Sequence, residues 1–379
     1  MTPSHATDAA HEVPYEAEVL PGLAPFAREE LRLTGRARLG PKAPGTDRAG
    51  TDQADAVRFT WPGGHDVPTE RLRTVTALHR VLAFDVPRPK ALLGDAHLRR
   101  IVDAMRMIVR ASDSPFHAVR LEAAGKDSPV MRRLRAALAQ GVELPDDPEE
   151  GDLQVRVRPS VRPGPAGASG AGWEVLIRTT PRPLSVRDWR VRNLPGGLNA
   201  CVAAAAWRWI GHAKGQRVLN AMCGSGTLLA ERAALGPAAR LAGVDLDPDA
   251  LEASEANLRA AGLRVRSDLS GGPADAQVEL RLADAAATPF EDASFDVVVA
   301  DPPWGDAMGE VADLHLSYGA FLREAARLLP VGGSALVVTH ALRAFDAALA
   351  DEQGSWRAEG VMRVFHGGHR PAMHHLIRR

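Results

Sequence analysis

From residue 199 onward one grammar repeats: a short run that is apolar throughout, then a stretch with helical spacing. The runs are QRVLNAM, RLAGVD, VELRLAD, FDVVVAD and SALVVTH, and between them lie TLLAERAAL, PDALEASEANLRAAG and LHLSYGAFLREAARLL. A strand that is apolar on both sides has to be covered on both sides. Alternation with helices therefore predicts an α/β fold, a parallel sheet sandwiched between helical layers. The tail reads differently. VMRVFH and AMHHLIR flank the turn GGHRP and predict an antiparallel hairpin on the sheet edge.

The first half of the chain lacks this grammar. Residues 13–35 read as a strand, in which Tyr15, Ala17 and Val19 alternate with acids, followed by a helix with Pro25 in its first turn and Gly35 at its end. Val57 to Trp61 reads as a short strand. Residues 69–83 alternate in a helix-compatible way and are broken by Pro87 and Pro89. Residues 95–110 place Leu98, Ile101, Val102, Met105 and Ile108 at helical spacing. HAVRLEAAG reads as a strand. SPVMRRLRAALAQG reads as a helix capped by Ser128 with Pro129 at its first position. LQVRVRP and WEVLIRT read as strands joined by a Pro/Gly/Ser-rich hairpin loop. This half is a mixed α+β region.

A length of 379 residues suits two or three domains. A composition 45% hydrophobic and 25% charged excludes a disordered chain. Two cysteines, Cys201 and Cys223, exclude a disulfide framework or a cysteine-rich zinc site. No apolar run approaches the roughly 20 residues of a membrane helix, and the N-terminus has no signal-type core, so a cytoplasmic protein without membrane partners is expected. The net charge of −1 hides an asymmetry: residues 1–200 carry +4 and residues 201–379 carry −5. Eight arginines fall within 153–192 against Glu174 and Asp188, a stripe suited to a phosphate backbone or to a solvated surface.

Two motifs carry chemistry. VLNAMCGSGTLL runs from a strand through a tight turn into a helix, and Gly224 and Gly226 let backbone amides approach a ligand. Leu229 replaces the third glycine of the dinucleotide fingerprint. Asp245, ending the next strand, suits the two hydroxyls of a ribose, whereas Asp247 precedes Pro248 and suits a helix cap. Asp284, after the third strand, suits the exocyclic amine of an adenine. The most specific motif is ADPPWG, residues 300–305. Two prolines remove backbone donors and fix φ, leaving carbonyls and the Asp301 carboxylate as rigid acceptors beside the Trp304 ring. That array fits a nucleobase NH₂ lifted out of its stack. His366, His369, His374 and His375 flank a turn and alternate in direction, so no metal is expected there. Cys223 lies inside the Gly-rich turn, which favours packing or cofactor contact over a nucleophilic role.

In this order, CGSGTLL, VDLDPDALEASEAN and FDVVVADPPWG resemble the S-adenosylmethionine-dependent, Rossmann-like methyltransferases. Within these the chain is similar to the THUMP-containing group that methylates guanine N2 in tRNA or ribosomal RNA. YEAEVLPGLAPFAREEL resembles the group's N-terminal ferredoxin-like module, and TPRPLSVRDWRVRNLPGGLN its connector. The resemblance implies a ferredoxin-like module over 13–85, a THUMP RNA-binding domain over 86–180, a connector over 181–198 and a catalytic domain over 199–379. It implies S-adenosylmethionine contacts at Asn220, Ala221, Cys223, Gly224, Ser225, Gly226, Thr227, Asp245, Leu246, Asp284 and Ala285. It implies Asp301, Pro302, Pro303 and Trp304 as the catalytic tip. Arg178, Arg182, Arg187, Arg190 and Arg192 are candidates for RNA contact. The expected activity is methyl transfer to guanine N2 of tRNA by a monomer. Adenine-N6 methylation, 23S rRNA guanine-N2 methylation and an inactive RNA-binding protein are the alternatives. The group usually begins the first motif with Asp-Pro, where this chain has Asn220-Ala221.

Overall fold

A computed structural model describes residues 12–41, 55–160, 172–302, 311–364 and 370–379, without the side chains of 311–313. The chain divides into two compact units, one running to Leu184 and one covering Ser185–Arg379 together with Leu20–Phe26.

The first unit contains β1 (Glu12–Val19), α1 (Ala24–Leu33) from Ala27 onward, β2 (Arg38–Leu39), β3 (Asp55–Pro62), β4 (Ala77–Phe84), α2 (Asp95–Ala111), β5 (Val119–Ala123), α3 (Pro129–Val142), β6 (Leu153–Pro159) and β7 (Trp173–Arg178). Its strands form one sheet in the order β2-β3-β1-β4-β7-β6-β5, antiparallel except for β5 beside β6. Residues 13–85 and 86–180 thus contribute to the same sheet through the β4–β7 pairing. Leu82, Phe84, Leu121, Val155, Val157, Val175 and Ile177 pack against Ile101, Met105, Leu134 and Leu138 of α2 and α3. Ser128 caps α3, its Oγ accepting from the Met131 amide, with Pro129 next.

The helix-compatible reading of 69–83 is corrected here. Thr69–Arg71 is a single 3-10 turn, and ALHRVLAF is a strand. As a central strand between β1 and β7, β4 is buried on both faces, so its apolar residues do not alternate.

The other face of this sheet is charged, and its charges are paired. Arg58 meets Glu16 at 2.5 Å and Glu174 at 2.6 Å, Arg158 meets Glu16 at 2.5 Å, and Arg156 meets Glu18 at 2.9 Å. Glu16 and Glu174 are almost fully buried. Arg156 and Arg158, members of the arginine stripe, are therefore committed to internal ion pairs. Among them sits His79, fully buried with neither ring nitrogen hydrogen-bonded. Burial, reinforced by Arg156, Arg178 and Arg158, drives its pKa down to about 3.

The second unit contains α4 (Ala200–Ile210), β8 (Arg217–Ala221), α5 (Thr227–Ala234), β9 (Arg240–Asp245), α6 (Pro248–Ala260), β10 (Val265–Ser267), β11 (Val278–Leu282), β12 (Val297–Ala300), α7 (Val311–Leu328), β13 (Ser334–Thr339), α8 (Leu342–Asp351), β14 (Trp356–Arg363) and β15 (Ala372–Arg378). The sheet order is β10-β11-β9-β8-β12-β13-β15-β14. All neighbours from β10 to β13 are parallel, and β15 and β14 are antiparallel, which is the expected terminal hairpin. This is a Rossmann-like α/β domain. The chain moves outward from β8 through β9 and β11, then returns to β12 on the other side of β8. That reversal opens a crevice beyond the C-terminal strand ends.

His79 supplies a prediction for acid stability. Unfolded, its imidazole titrates near 6.5; folded, it stays neutral to about 3. Its contribution is complete above pH 6.5 and is lost as pH falls from there toward 3, at about 1.4 kcal/mol per pH unit. His79→Leu should therefore flatten the fall in urea-unfolding free energy between pH 6.5 and 4 by up to that slope. An unchanged slope would show that His79 does not hold this proton balance.

Candidate functional site

A cavity of about 1020 Å³ opens at this crevice. Four strand ends contribute to its lining: Met222 to Ser225 after β8, Asp245 to Asp247 from β9, Asp284 to Ala286 after β11, and Asp301 with Pro302 after β12. Leu194–Leu198 and residues of α7, among them Leu316, Tyr318 and Phe321, complete the wall.

The turn after β8 is built on left-handed backbone. Met222, Gly224 and Gly226 have φ of 55°, 51° and 78°. At Gly224 an added Cβ would meet no atom within 4 Å, whereas at Gly226 it would lie 2.5 Å from the Ser254 Oγ. Gly224 thus leaves space on the cavity side, and Gly226 lets α6 approach the head of α5. The turn is fixed to β9 by the Cys223 amide, which donates to the Val244 carbonyl at 2.9 Å.

Asp245 holds the adjoining loops. One carboxylate oxygen accepts from the Gly224 amide at 2.8 Å and the other from the Asp247 amide at 3.1 Å. Burial pushes its pKa up, the two amides oppose this, and the charge of Asp247 adds to the rise. Asp247 itself caps α6, accepting from the Asp249 amide at 2.9 Å. Asp284 accepts from the Ala286 amide at 2.8 Å and faces solvent on its other side. Asn220 is 1% exposed, lines the cavity, and its Oδ1 has no hydrogen-bond partner. Cys223 is buried, and burial followed by the negative Asp245 drives its thiol pKa far up. At neutral pH it is a protonated thiol with no nucleophilic character.

At the β12 end, α7 lays Tyr318 against the tip. The phenol is buried and hydrogen-bonded to the Thr339 Oγ1 at 2.7 Å, and that oxygen also accepts from the Ala341 amide. Burial pushes the phenol pKa up, the Thr339 bond opposes, and the Asp301 charge adds to the rise.

Of the residues singled out from sequence, the cavity brings together Asn220, Cys223, Gly224, Ser225, Thr227, Asp245, Leu246, Asp284, Ala285, Asp301 and Pro302. Ala221 is buried in β8, and Gly226 serves as the N-cap of α5. Pro303, Trp304, His366 and His369 lie outside the described residues. His374 packs on Phe345 and His375 bonds Ser334, in opposite directions from β15. No group of three metal-ligating side chains occurs among the described residues.

The arginines divide. Arg178 is buried and donates to the carbonyls of Thr180, Pro181 and Asp152. Arg187 is tied to the fully buried Glu231 at 2.9 Å. Arg190 donates to the Leu198 carbonyl at 2.8 Å and the Thr227 Oγ1 at 2.7 Å. Arg182 and Arg192 are exposed, and Arg192 is loosely paired with Glu252 at 3.4 Å. Sequence reasoning missed what Arg187 and Arg190 do: they fasten the Leu194–Leu198 wall onto the cavity. Asn257 adds to this, bonding both the amide and the carbonyl of Arg192. The glycine pair in LPGGL was the available signal.

Residues 187–372 match the family described as RMKL-like, methyltransferase domain. The chain is 33% identical over 211 residues to the tRNA (guanine(6)-N2)-methyltransferase of Thermus thermophilus, covering 55% of this chain and 56% of that protein. It is 29% identical over 186 residues to the enzyme of the same name from Archaeoglobus fulgidus, covering 44% and 45%. The chain thus spans about half the length of the curated relatives it matches. Among solved structures, TrmN from Thermus thermophilus superposes with a TM-score of 0.67 at 26% identity, covering 97% of this chain and 100% of that one. The chain is therefore similar, in sequence and in fold, to tRNA guanine-N2 methyltransferases.

The two glycines of the turn separate in a prediction. Gly226→Ala, with a positive φ and a Cβ against Ser254, should lower unfolding free energy by about 2–3 kcal/mol. Gly224→Ala, strained in φ alone, should cost about 1 kcal/mol. Urea titration of both variants checks the ranking.

Proposed function

We propose, from a second unit whose residues 187–372 match the RMKL-like methyltransferase domain family, that this chain transfers a methyl group to the exocyclic N2 of a guanine in tRNA. The observation that carries the reading is one cavity that joins three things. They are the open-backbone turn at Gly224, the half-buried acid Asp245 and the Asp301–Pro302 tip.

S-adenosylmethionine fits the residues present. Asn220 offers a buried acceptor without a partner, Gly224 leaves its Cβ space empty, and Asp245 is a desolvated carboxylate that further hydroxyl donors would satisfy. Asp284 would accept from the adenine amine. When bound, the cofactor supplies an electrophilic methyl group on a positively charged sulfur. The residues of the chain do the rest. The Asp301 carboxylate and the Pro302 carbonyl accept from the guanine amine, orienting its nitrogen and drawing its lone pair out of ring conjugation. Asp301 takes the surplus proton once the amine has been alkylated and become acidic. Pro302 has no N–H to compete for these acceptors. Trp304, next but one in sequence, supplies a ring for the base to stack on, offsetting the few kcal/mol needed to unstack it. The first unit is read as a ferredoxin-like module joined to a THUMP domain that grips the folded RNA.

The test is nucleoside mass spectrometry of unmodified tRNA treated with the chain and labelled S-adenosylmethionine. N2-methylguanosine is expected, and N6-methyladenosine would replace the reading. Asp301→Asn should lower the rate at least about 100-fold while calorimetric affinity for S-adenosylhomocysteine stays within about twofold.

A further inference from the structure

The arginines expected from sequence to meet RNA are largely committed to internal acceptors, which leaves open where a polyanion would bind. The helix side of the first unit answers differently from its ion-paired sheet face. Helix α2 exposes Arg99, Arg100, Arg106 and Arg110, and none of them lies within ion-pair distance of a carboxylate among the described residues. Arg99, Arg106 and Arg110 fall at positions i, i+7 and i+11, one stripe about 16 Å long. Asp103 is the single acid on that stripe.

Beside it runs a groove of about 530 Å³ between α2 and β4, into which Arg80, Arg99, Arg100 and Asp103 project. Arg80 has a buried Nε without a hydrogen-bond partner, and its Nη1 rests on the sulfur of Met107 at 3.5 Å. Arg100 donates to the Ala83 carbonyl at 2.9 Å and lies 4.8 Å from the Phe84 ring centre, so its charge is held in place without being neutralised. Met107 is 56% exposed among these cations. Like charges gathered on one helix repel, and the lone Asp103 does not compensate all four arginines. An external polyanion would, and an apolar side chain between the cations gives a sugar or base something to pack on.

We infer that the α2–β4 groove and the Arg99–Arg106–Arg110 stripe are the phosphate-backbone docking surface for the RNA substrate. The inference rests on the RNA methyltransferase reading and assigns the grip to a surface distinct from the arginines near the cavity.

The experiment compares the unaltered chain with Arg99→Gln/Arg106→Gln/Arg110→Gln in fluorescence anisotropy with labelled tRNA across a salt series. Three lost phosphate contacts should reduce the slope of log K against log salt by about 2–3. The tRNA KM should rise about 10- to 100-fold with kcat unchanged. S-adenosylhomocysteine affinity and melting temperature should hold, which separates lost docking from lost folding. A control, Lys214→Gln/Arg343→Gln, removes two exposed cations of the second unit and should change the slope by less than about 0.5. An unchanged slope in the triple variant overturns the inference, as does an equal loss in the control. So does a wild-type chain that binds anionic phospholipid vesicles but not tRNA. If the triple variant loses its slope while the wild type methylates no guanine, the surface stands and the proposed reaction falls.

Discussion

Asp245 ends β9 and accepts one amide from each of two loops, Gly224 after β8 and Asp247 at the head of α6. A single carboxylate thereby fixes the spacing between two strand ends and the first turns of two helices. The cavity owes its shape to that link. Without it the left-handed turn after β8 would be tied to its neighbours by the Cys223–Val244 backbone bond and by Asn257, whose Nδ2 donates to the Ser225 carbonyl. The carboxylate is also desolvated enough to favour further donors, so the group that organises the loops is fitted to receive a ligand.

Much of the second unit could be read from sequence because parallel strands advertise themselves. VVVA of β12 is apolar and buried along its whole length, so composition and burial agree, whereas VELRL of β11 alternates buried apolar residues with charged ones. The site followed from the same logic, since ligands of such sheets gather at the strand ends where the order reverses. Asn220, Asp245, Asp284 and Asp301 could be picked out because each closes or follows a strand.

What escaped was governed by tertiary pairing. ALHRVLAF looked helix-compatible because a central strand loses its alternation, and only the neighbours β1 and β7 reveal it. The arginine stripe looked like a surface because sequence does not show that Arg156 and Arg158 lie opposite Glu16, Glu18 and Glu174 on adjacent strands. Charge patterning along a chain counts residues, whereas the field outside a protein depends on which of them are already neutralised. The cavity wall from Leu194 to Leu198 was missed for a similar reason: a loop carries no periodicity, and its position is set by two arginines whose partners lie roughly 40 residues away.

The pairing of Arg187 with Glu231 bears on where the second unit begins. Glu231 is fully buried within α5, and the guanidinium of Arg187 sits against it. A fragment started at the first strand-helix repeat, near residue 199, would leave that carboxylate in the interior without its cation and the cavity without one wall. Such an orphaned charge typically costs several kcal/mol, a large share of a domain's net stability. The segment from 185 to 198 is thus an integral part of the enzyme-like unit, and any excision, fusion or domain exchange has to carry it along.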